Sequence, residues 1–254
     1  MRHVSAAELV SAWERTLGRP PVDQALVLLS LGSPGGSSEA LAQLSVGERD
    51  AGLLSLREQL FGPRLTSVTR CPQCGQRLEL TFEVDDLRRP AAAVPAAPGG
   101  VLELVAGGYQ VRFRLPNSAD LASAGVVADP DAAREHVLER CIQSIARTGA
   151  AGADREDAGC TRLPASVTDA IVARMSEADP QSDTRLDVSC PDCRHRWVAV
   201  FDITAYLMRE VHDWVVHVLQ DVHILARAYG WHEADILAMT AARRQAYLQL
   251  VTQG

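Results

Sequence analysis

Four cysteines occur as two C-x-x-C pairs, and a proline follows the first cysteine of each pair. Cys71 and Cys74 form the first pair, and Cys190 and Cys193 form the second. Thiolates at this spacing are typical of knuckles that each supply half of a tetrahedral metal site, and four of them close such a site around Zn²⁺. The sequence therefore predicts one structural zinc ion, held by these four residues in a zinc ribbon assembled from distant parts of the chain.

Two other interpretations of the cysteine pairs stay open. They could be reduced pairs without a metal, or a redox dithiol. A redox C-x-x-C pair usually opens a helix, which lowers the pKa of its thiol, whereas both pairs here are predicted to lead into strands. His195, two residues after Cys193, could replace a ligand in principle. Because four cysteines are present, we predict that it lies at the surface or beside the ligands.

The two cysteine segments align with a constant offset of 119 residues. CPQCGQRLELTFEVDDL, from Cys71, lies over CPDCRHRWVAVFDITAYL, from Cys190. Upstream, LSVGERDAGLLSLREQ from Leu44 lies over LPASVTDAIVARMSEA from Leu163 at the same offset. We interpret this as an internal duplication of helix, strand, knuckle and strand. The strand before the knuckle is predicted to slip by one residue between the copies. Chance similarity of two amphipathic segments is the alternative.

The strands after the knuckles differ in their apolar pattern. After the first knuckle, apolar residues alternate with polar ones, which predicts a half-buried strand. After the second, Val198 and Val200 lie between Trp197, Ala199 and Phe201. This nearly continuous apolar run predicts a more fully buried strand.

Local signals predict an α+β fold that is mainly helical with short antiparallel strands. Ser5 with Glu8, and Ser45 with Glu48, have the spacing of capping boxes that begin helices. A hairpin is predicted to turn at Gly107–Gly108. Residues 1–87 are predicted to form an N-terminal half with the first knuckle. A Pro/Ala linker follows at 88–100, and residues 101–254 form the second half, joined to the first by the shared zinc.

The longest predicted helix runs from about Thr204 to Gly230 and carries one apolar face at spacings of three and four residues. The tail after it is rich in large apolar side chains, which either fold back on this helix or bind a partner. Aromatic side chains often anchor interfaces, and arginines pair with carboxylates. The candidate partner-binding residues are therefore Trp231, Arg243, Arg244 and Tyr247.

Composition limits the classes of function. The chain has 254 residues and a net charge of −7, which argues against a nucleic-acid or anionic-membrane surface. All 25 basic residues are arginine, so lysine Schiff-base and P-loop chemistry are excluded. The sequence contains no recognised catalytic motif, and four cysteine ligands leave a zinc ion no open position. We predict a protein that is not an enzyme and has no small-molecule substrate.

The N-terminal sequence MRHVSAAELVSAWERTLG has no apolar core of a signal peptide. No run approaches the roughly 18 uncharged apolar residues that a membrane span requires. These features predict a cytoplasmic protein without a membrane span, in which thiols stay reduced.

Two stretches resemble known proteins. CPDC…FDITAYL, followed by ARAYGWHEADILAMTAARRQAYLQLV, is similar to proteins of phage-tail and contractile-injection-system gene clusters. LSVGERDAGLLSLREQLFGPRLTSVTRCPQCG resembles the T4-type phage baseplate family, whose members are hub components or hub-assembly factors. The resemblance implies a non-enzymatic baseplate component or assembly factor that binds other baseplate or tail proteins in a phage-tail-like particle.

Two rival functions remain at this point. One is a zinc-ribbon module that binds nucleic acid or the transcription machinery, which the acidic composition disfavours. The other is an enzyme that uses a site the sequence does not reveal.

Overall fold

The structure, a computed structural model, describes residues 4–33, 35–90, 100–148 and 163–253. The structure combines helices with short antiparallel strands, which confirms the predicted α+β class. The first part of the chain contains α1 (Ala6–Thr16), α2 (Pro21–Gly32), α3 (Ser38–Ala42), α4 (Val46–Phe61), β1 (Arg64–Arg70), β2 (Arg77–Glu83) and α5 (Val84–Leu87). The second part contains β3 (Leu102–Ala106), β4 (Tyr109–Phe113), α6 (Ser118–Ala124), α7 (Pro130–Cys141), β5 (Ile142–Arg147), α8 (Ala165–Ala178), β6 (Arg185–Ser189), β7 (Arg196–Val200), α9 (Ile203–Tyr229), α10 (Glu233–Leu237) and α11 (Ala241–Gln253).

The local signals in the sequence mark the ends of several helices correctly. Ser5 with Glu8 begins α1, and Ser45 with Glu48 begins α4, each as a reciprocal capping box. α9 ends where Gly230 adopts a left-handed conformation at φ 70°, which glycine reaches without steric cost. These ends follow from short-range chemistry and need no tertiary contact.

The strands form three antiparallel sheets in the described residues: β1–β2, β3–β4–β5 and β6–β7. The β3–β4 hairpin turns at Gly107 and Gly108, with φ of 55° and 80°. Two consecutive positive φ angles match the twist of a tight hairpin, so the predicted turn is confirmed.

The largest hydrophobic core brings together both ends of the chain. Leu28 of α2 and Leu54 of α4 lie in one buried cluster with Leu207 and Leu225 of α9. In this core α9, from the second predicted half, packs against the N-terminal helices. Residues 91–99 of the predicted linker lie outside the described residues.

A second core lies between the three-stranded sheet and α8. Val111 and Phe113 of β4 and Ile145 of β5 are buried against Ile171 of α8. A third, small cluster surrounds the cysteines and joins the two remaining hairpins. Throughout the described ranges, every helix is too short or too polar to cross a membrane.

Candidate metal centre

Two equivalent hairpins present the cysteines at their tips. In the first, Thr69 of β1 pairs with Leu78 of β2. In the second, Val188 of β6 pairs with Trp197 of β7, 119 residues later at both positions. The strands before the knuckles thus align without displacement, and the predicted slip of one residue is wrong. The order of helix, strand, knuckle and strand occurs twice at the offset that the sequence indicated.

The backbone of each knuckle follows the same hydrogen-bond pattern. The Cys71 N–H donates to the Gln76 carbonyl at 2.9 Å, and the Gly75 N–H donates to the Cys71 carbonyl at 2.9 Å. In the second knuckle, the Cys190 N–H donates to the His195 carbonyl at 2.9 Å, and the Arg194 N–H donates back to Cys190 at 3.0 Å. Each turn therefore holds its two cysteine side chains on one side of the tip.

The four sulfur atoms converge between the hairpins. The Sγ atoms of Cys71 and Cys193 lie 3.6 Å apart, and those of Cys74 and Cys190 lie 3.7 Å apart. All four lie within 4.8 Å of one another. Tetrahedral Zn²⁺ with Zn–S bonds of about 2.3 Å separates its sulfurs by about 3.8 Å, whereas a disulfide requires about 2.05 Å. The donor set and its spacing fit one tetrahedral ion of the Cys₄ type.

Four thiols this close cannot all ionise without a cation, because each thiolate raises the pKa of the next. Burial alone would raise the pKa of Cys71. Backbone N–H groups of Cys74 and Gln73 donate to its sulfur, outweigh the effect of burial and lower the pKa of Cys71 to about 7. The Gln76 N–H favours the Cys74 thiolate. Burial and the neighbouring sulfurs outweigh it and raise the pKa of Cys74 to about 12. A bound dication would stabilise all four thiolates.

His195 lies beside the centre and not among the sulfurs. Its ring stacks on Trp197 with centroids 5.8 Å apart and planes 13° from parallel. The cluster of potential metal ligands in the described chain contains the four cysteines without it. This position agrees with the predicted place of His195 beside the ligands.

Each hairpin is held by the segment that follows the other one. The Tyr206 hydroxyl, at the start of α9, donates to the Thr66 carbonyl of β1 at 3.0 Å and accepts from the Thr66 N–H at 3.1 Å. Arg89, after the first hairpin, donates from Nη2 to the Arg185 carbonyl of β6 at 3.1 Å. Thr66 and Arg185 are equivalent at the offset of 119. We call these two contacts the reciprocal straps.

The equivalent residues Phe82 and Phe201 meet each other at the middle of this arrangement. Their rings lie edge to face, with centroids 5.6 Å apart. Contact between equivalent positions places them on an approximate two-fold axis that relates the hairpins.

The predicted burial of β7 is wrong. Val198 is 54% exposed and Val200 is 75% exposed. The β6–β7 sheet has two strands, and only the face with Trp197 and Ala199 packs on the cysteine cluster. The alternate face of such a hairpin is left to solvent.

A protein-family model described as T4 bacteriophage base plate protein matches residues 33–207. The match covers well over half of the 254 residues. The chain belongs to this base plate family. In this base plate protein the matched range contains both knuckles and ends at Leu207, inside α9. No curated protein and no solved structure gives a significant match to the chain.

The candidate partner-binding residues of this base plate protein separate into two environments. Trp231 stacks on Tyr229 at 4.5 Å and meets Tyr247 edge to face at 4.8 Å. The guanidinium of Arg243 lies over the Tyr247 ring at 5.7 Å. Arg244, by contrast, is buried and its Nε donates to the Asp221 carboxylate of α9 at 3.0 Å. The tail folds back on α9 and leaves Trp231 and Tyr247 half-buried.

Equivalent knuckle positions with left-handed backbone give a first testable prediction. Arg194 has φ 62°, and its counterpart Gly75 has φ 75°. A side chain in this conformation costs about 1 kcal/mol, and a Cβ at Gly75 would meet no atom within 4 Å. We expect Arg194→Gly to raise the free energy of unfolding by about 0.5 to 1 kcal/mol and Gly75→Ala to lower it by about 1 kcal/mol. Urea denaturation of both variants checks the signs. Equal midpoints would contradict the left-handed turn.

Proposed function

We propose that this protein is a structural component or assembly factor of a base plate, and that it acts by binding other base plate or tail proteins. The observation that carries this proposal is the family match, which spans both halves of the cysteine cluster. In this proposal one structural zinc ion joins the two hairpins. The protein would be part of a phage-tail-like particle or of the pathway that builds it.

The zinc ion in this proposal has a mechanical role and no catalytic one. Cys71, Cys74, Cys190 and Cys193 would fill all four tetrahedral positions, so no position remains for water or substrate. The ion would link two segments 119 residues apart in sequence, so its binding free energy becomes folding free energy. We therefore propose that the chain performs no catalysis.

The proposed partner surface lies at the C-terminal end of α9. Tyr229, 39% exposed, and half-buried Trp231 and Tyr247 form an aromatic cluster bordered by Arg243. Partly exposed aromatic groups with a neighbouring arginine are typical anchors of protein interfaces. Arg244 is left out of this surface because its buried guanidinium is paired inside the chain.

A surface variant and a buried variant separate partner binding from stability. We expect Arg243→Glu to weaken capture of purified base plate proteins about tenfold while leaving the melting temperature unchanged, because Arg243 is exposed. Arg244→Ala should instead lower the free energy of unfolding by about 3 kcal/mol, since it leaves Asp221 without its cation. Pull-down and thermal melting are measured on both proteins. Unchanged capture by Arg243→Glu would remove this surface from the proposal.

The function itself is tested on particles. Mass spectrometry of mature particles and electron microscopy of a deletion strain are read together. A protein present in particles is a component, and one absent from particles whose loss abolishes base plates is an assembly factor. Normal particles in the deletion strain would overturn the proposed function.

A further inference from the structure

In the part of the chain that the structure describes, each of the two equivalent hairpins leaves its second strand without a neighbouring strand on the outer side. Each of the reciprocal straps bonds the backbone of one residue in a first strand, Thr66 of β1 and Arg185 of β6. The second strands, β2 and β7, have no further neighbouring strand within the described ranges. Their outer backbone N–H and C=O groups are free to pair with another chain.

The two open edges differ at the middle positions of their exposed faces. Along β2, the exposed face presents Glu79 and Thr81. The equivalent positions in β7 are Val198 and Val200, which are 54% and 75% exposed. Charged side chains on an edge discourage pairing with other strands, whereas exposed β-branched residues favour it. The first hairpin forms with glutamate and threonine at these positions, so the hairpin fold does not require the valines.

We propose that the open edge of β7 is a docking site where an extended segment of another base plate protein adds as a third strand. This inference rests on the proposed function and gives it a specific site. The backbone of residues 196–200 supplies the pairing, and the outward side chains select the segment.

The chemistry of the segment follows from its cross-strand neighbours. Val198 and Val200 would face apolar side chains of the added strand. Arg196 lies on the same exposed face and has no ion-pair partner in the described part of the chain. A carboxylate opposite Arg196 completes the match. A second copy of β7, with sequence RWVAV, offers no carboxylate, so we favour a different protein whose segment carries two apolar residues and one carboxylate at alternate positions, all on one face of the strand.

The test uses the zinc-loaded full chain labelled with ¹⁵N. The probe is a synthetic peptide whose alternate positions are valine, valine and glutamate, with threonine between them, so that all three side chains lie on one face and meet Val200, Val198 and Arg196. Its matched control has lysine in place of the glutamate. We expect the acidic peptide, at millimolar concentration, to shift the amide resonances of residues 196–200 and to leave those of β2 unchanged. The lysine peptide should leave both unchanged.

Variants that place residues of the first hairpin at the equivalent positions of β7 give a second test. Val198→Glu with Val200→Thr installs the side chains of β2, and we expect about tenfold weaker binding of the acidic peptide. Val105→Glu is the control, because Val105 is 65% exposed on β3, far from the hairpin in sequence; binding should not change. Peptide binding is measured without particles, so its failure is distinct from failure of the base plate function.

Three results would overturn the docking site. The first is an absence of shifts at residues 196–200 with the acidic peptide. The second is equal binding of the lysine peptide, or equal shifts in β2. The third is a shift of the β7 amide resonances when only the protein concentration is raised, together with a dimer in sedimentation. The occupant of the edge would then be a second copy of this chain.

Discussion

Replacing Cys190 by serine is expected to release both hairpins at once. The sulfur of Cys190 lies 3.7 Å from that of Cys74 across the centre, so its loss opens a tetrahedral site that no other described cysteine can complete. Structural zinc contributes about 10 kcal/mol or more to folding of small zinc domains. We expect Cys190→Ser to lower the free energy of unfolding by about 5 kcal/mol or more.

Metal analysis, thermal melting and proteolysis check this expectation together. The wild type should hold one zinc ion per chain, and the variant should hold less. Tryptic cleavage after Arg88 should become faster, because Arg89 no longer meets an ordered β6. Cys141→Ala is the matched control, since Cys141 is also buried but lies outside the cluster; it should keep its zinc. A wild-type ratio near zero or two, or a serine variant with full zinc, would contradict the four-cysteine centre.

Removing the carboxylate of Asp120 is expected to cost nearly as much. Asp120 is fully buried and accepts hydrogen bonds from Arg114 Nη2 at 2.9 Å, Arg140 Nε at 2.9 Å and the Asn117 N–H at 3.0 Å. Its loss leaves two guanidinium groups without their anion. We expect Asp120→Ala to lower the free energy of unfolding by about 3 to 5 kcal/mol. Asp131→Ala, an exposed change on α7, should stay within about 0.5 kcal/mol of wild type.

The same carboxylate predicts a pH dependence with a definite sign. Burial alone would raise the pKa of Asp120. Hydrogen bonds from Arg114, Asn117 and Arg140 outweigh the effect of burial and lower this pKa from 3.8 to about 2. Because the carboxyl has a lower pKa in the folded protein than in the unfolded chain, it stabilises the fold at pH values above the unfolded-state pKa. This stabilisation is lost as the pH falls from about 4 to about 2. The loss amounts to about 2 kcal/mol. Urea denaturation at pH 5 and pH 2.5 should show this loss of unfolding free energy in the wild type and not in Asp120→Asn. Equal losses in both would contradict the depressed pKa.

The parts of the structure that short-range chemistry decides could be predicted from the sequence. The capping boxes at Ser5 and Ser45 and the turn at Gly107–Gly108 need only residues a few positions apart. The cysteine cluster could be predicted because its repeat at an offset of 119 identifies both halves.

Features that depend on distant contacts could not be predicted. The reciprocal straps of Tyr206 and Arg89 join segments 140 and 96 residues apart. Arg244 matched the pattern of an interface arginine, yet its place opposite Asp221 depends on how α11 packs on α9. The valines of β7 had the composition of a buried strand, and only the two-stranded sheet shows that one face stays exposed.

The distance between the two knuckles also imposes an order on events during synthesis. At about 5 to 20 residues per second, the ribosome completes the second knuckle roughly 6 to 24 seconds after the first. During that interval Cys71 and Cys74 have been synthesised. Tyr206, the residue of α9 that bonds Thr66 of β1, has not. The growing chain therefore exposes one complete thiol pair, which is half of the metal site, for seconds. During this time oxidants and other metal ions can react with the pair before the second pair completes the site.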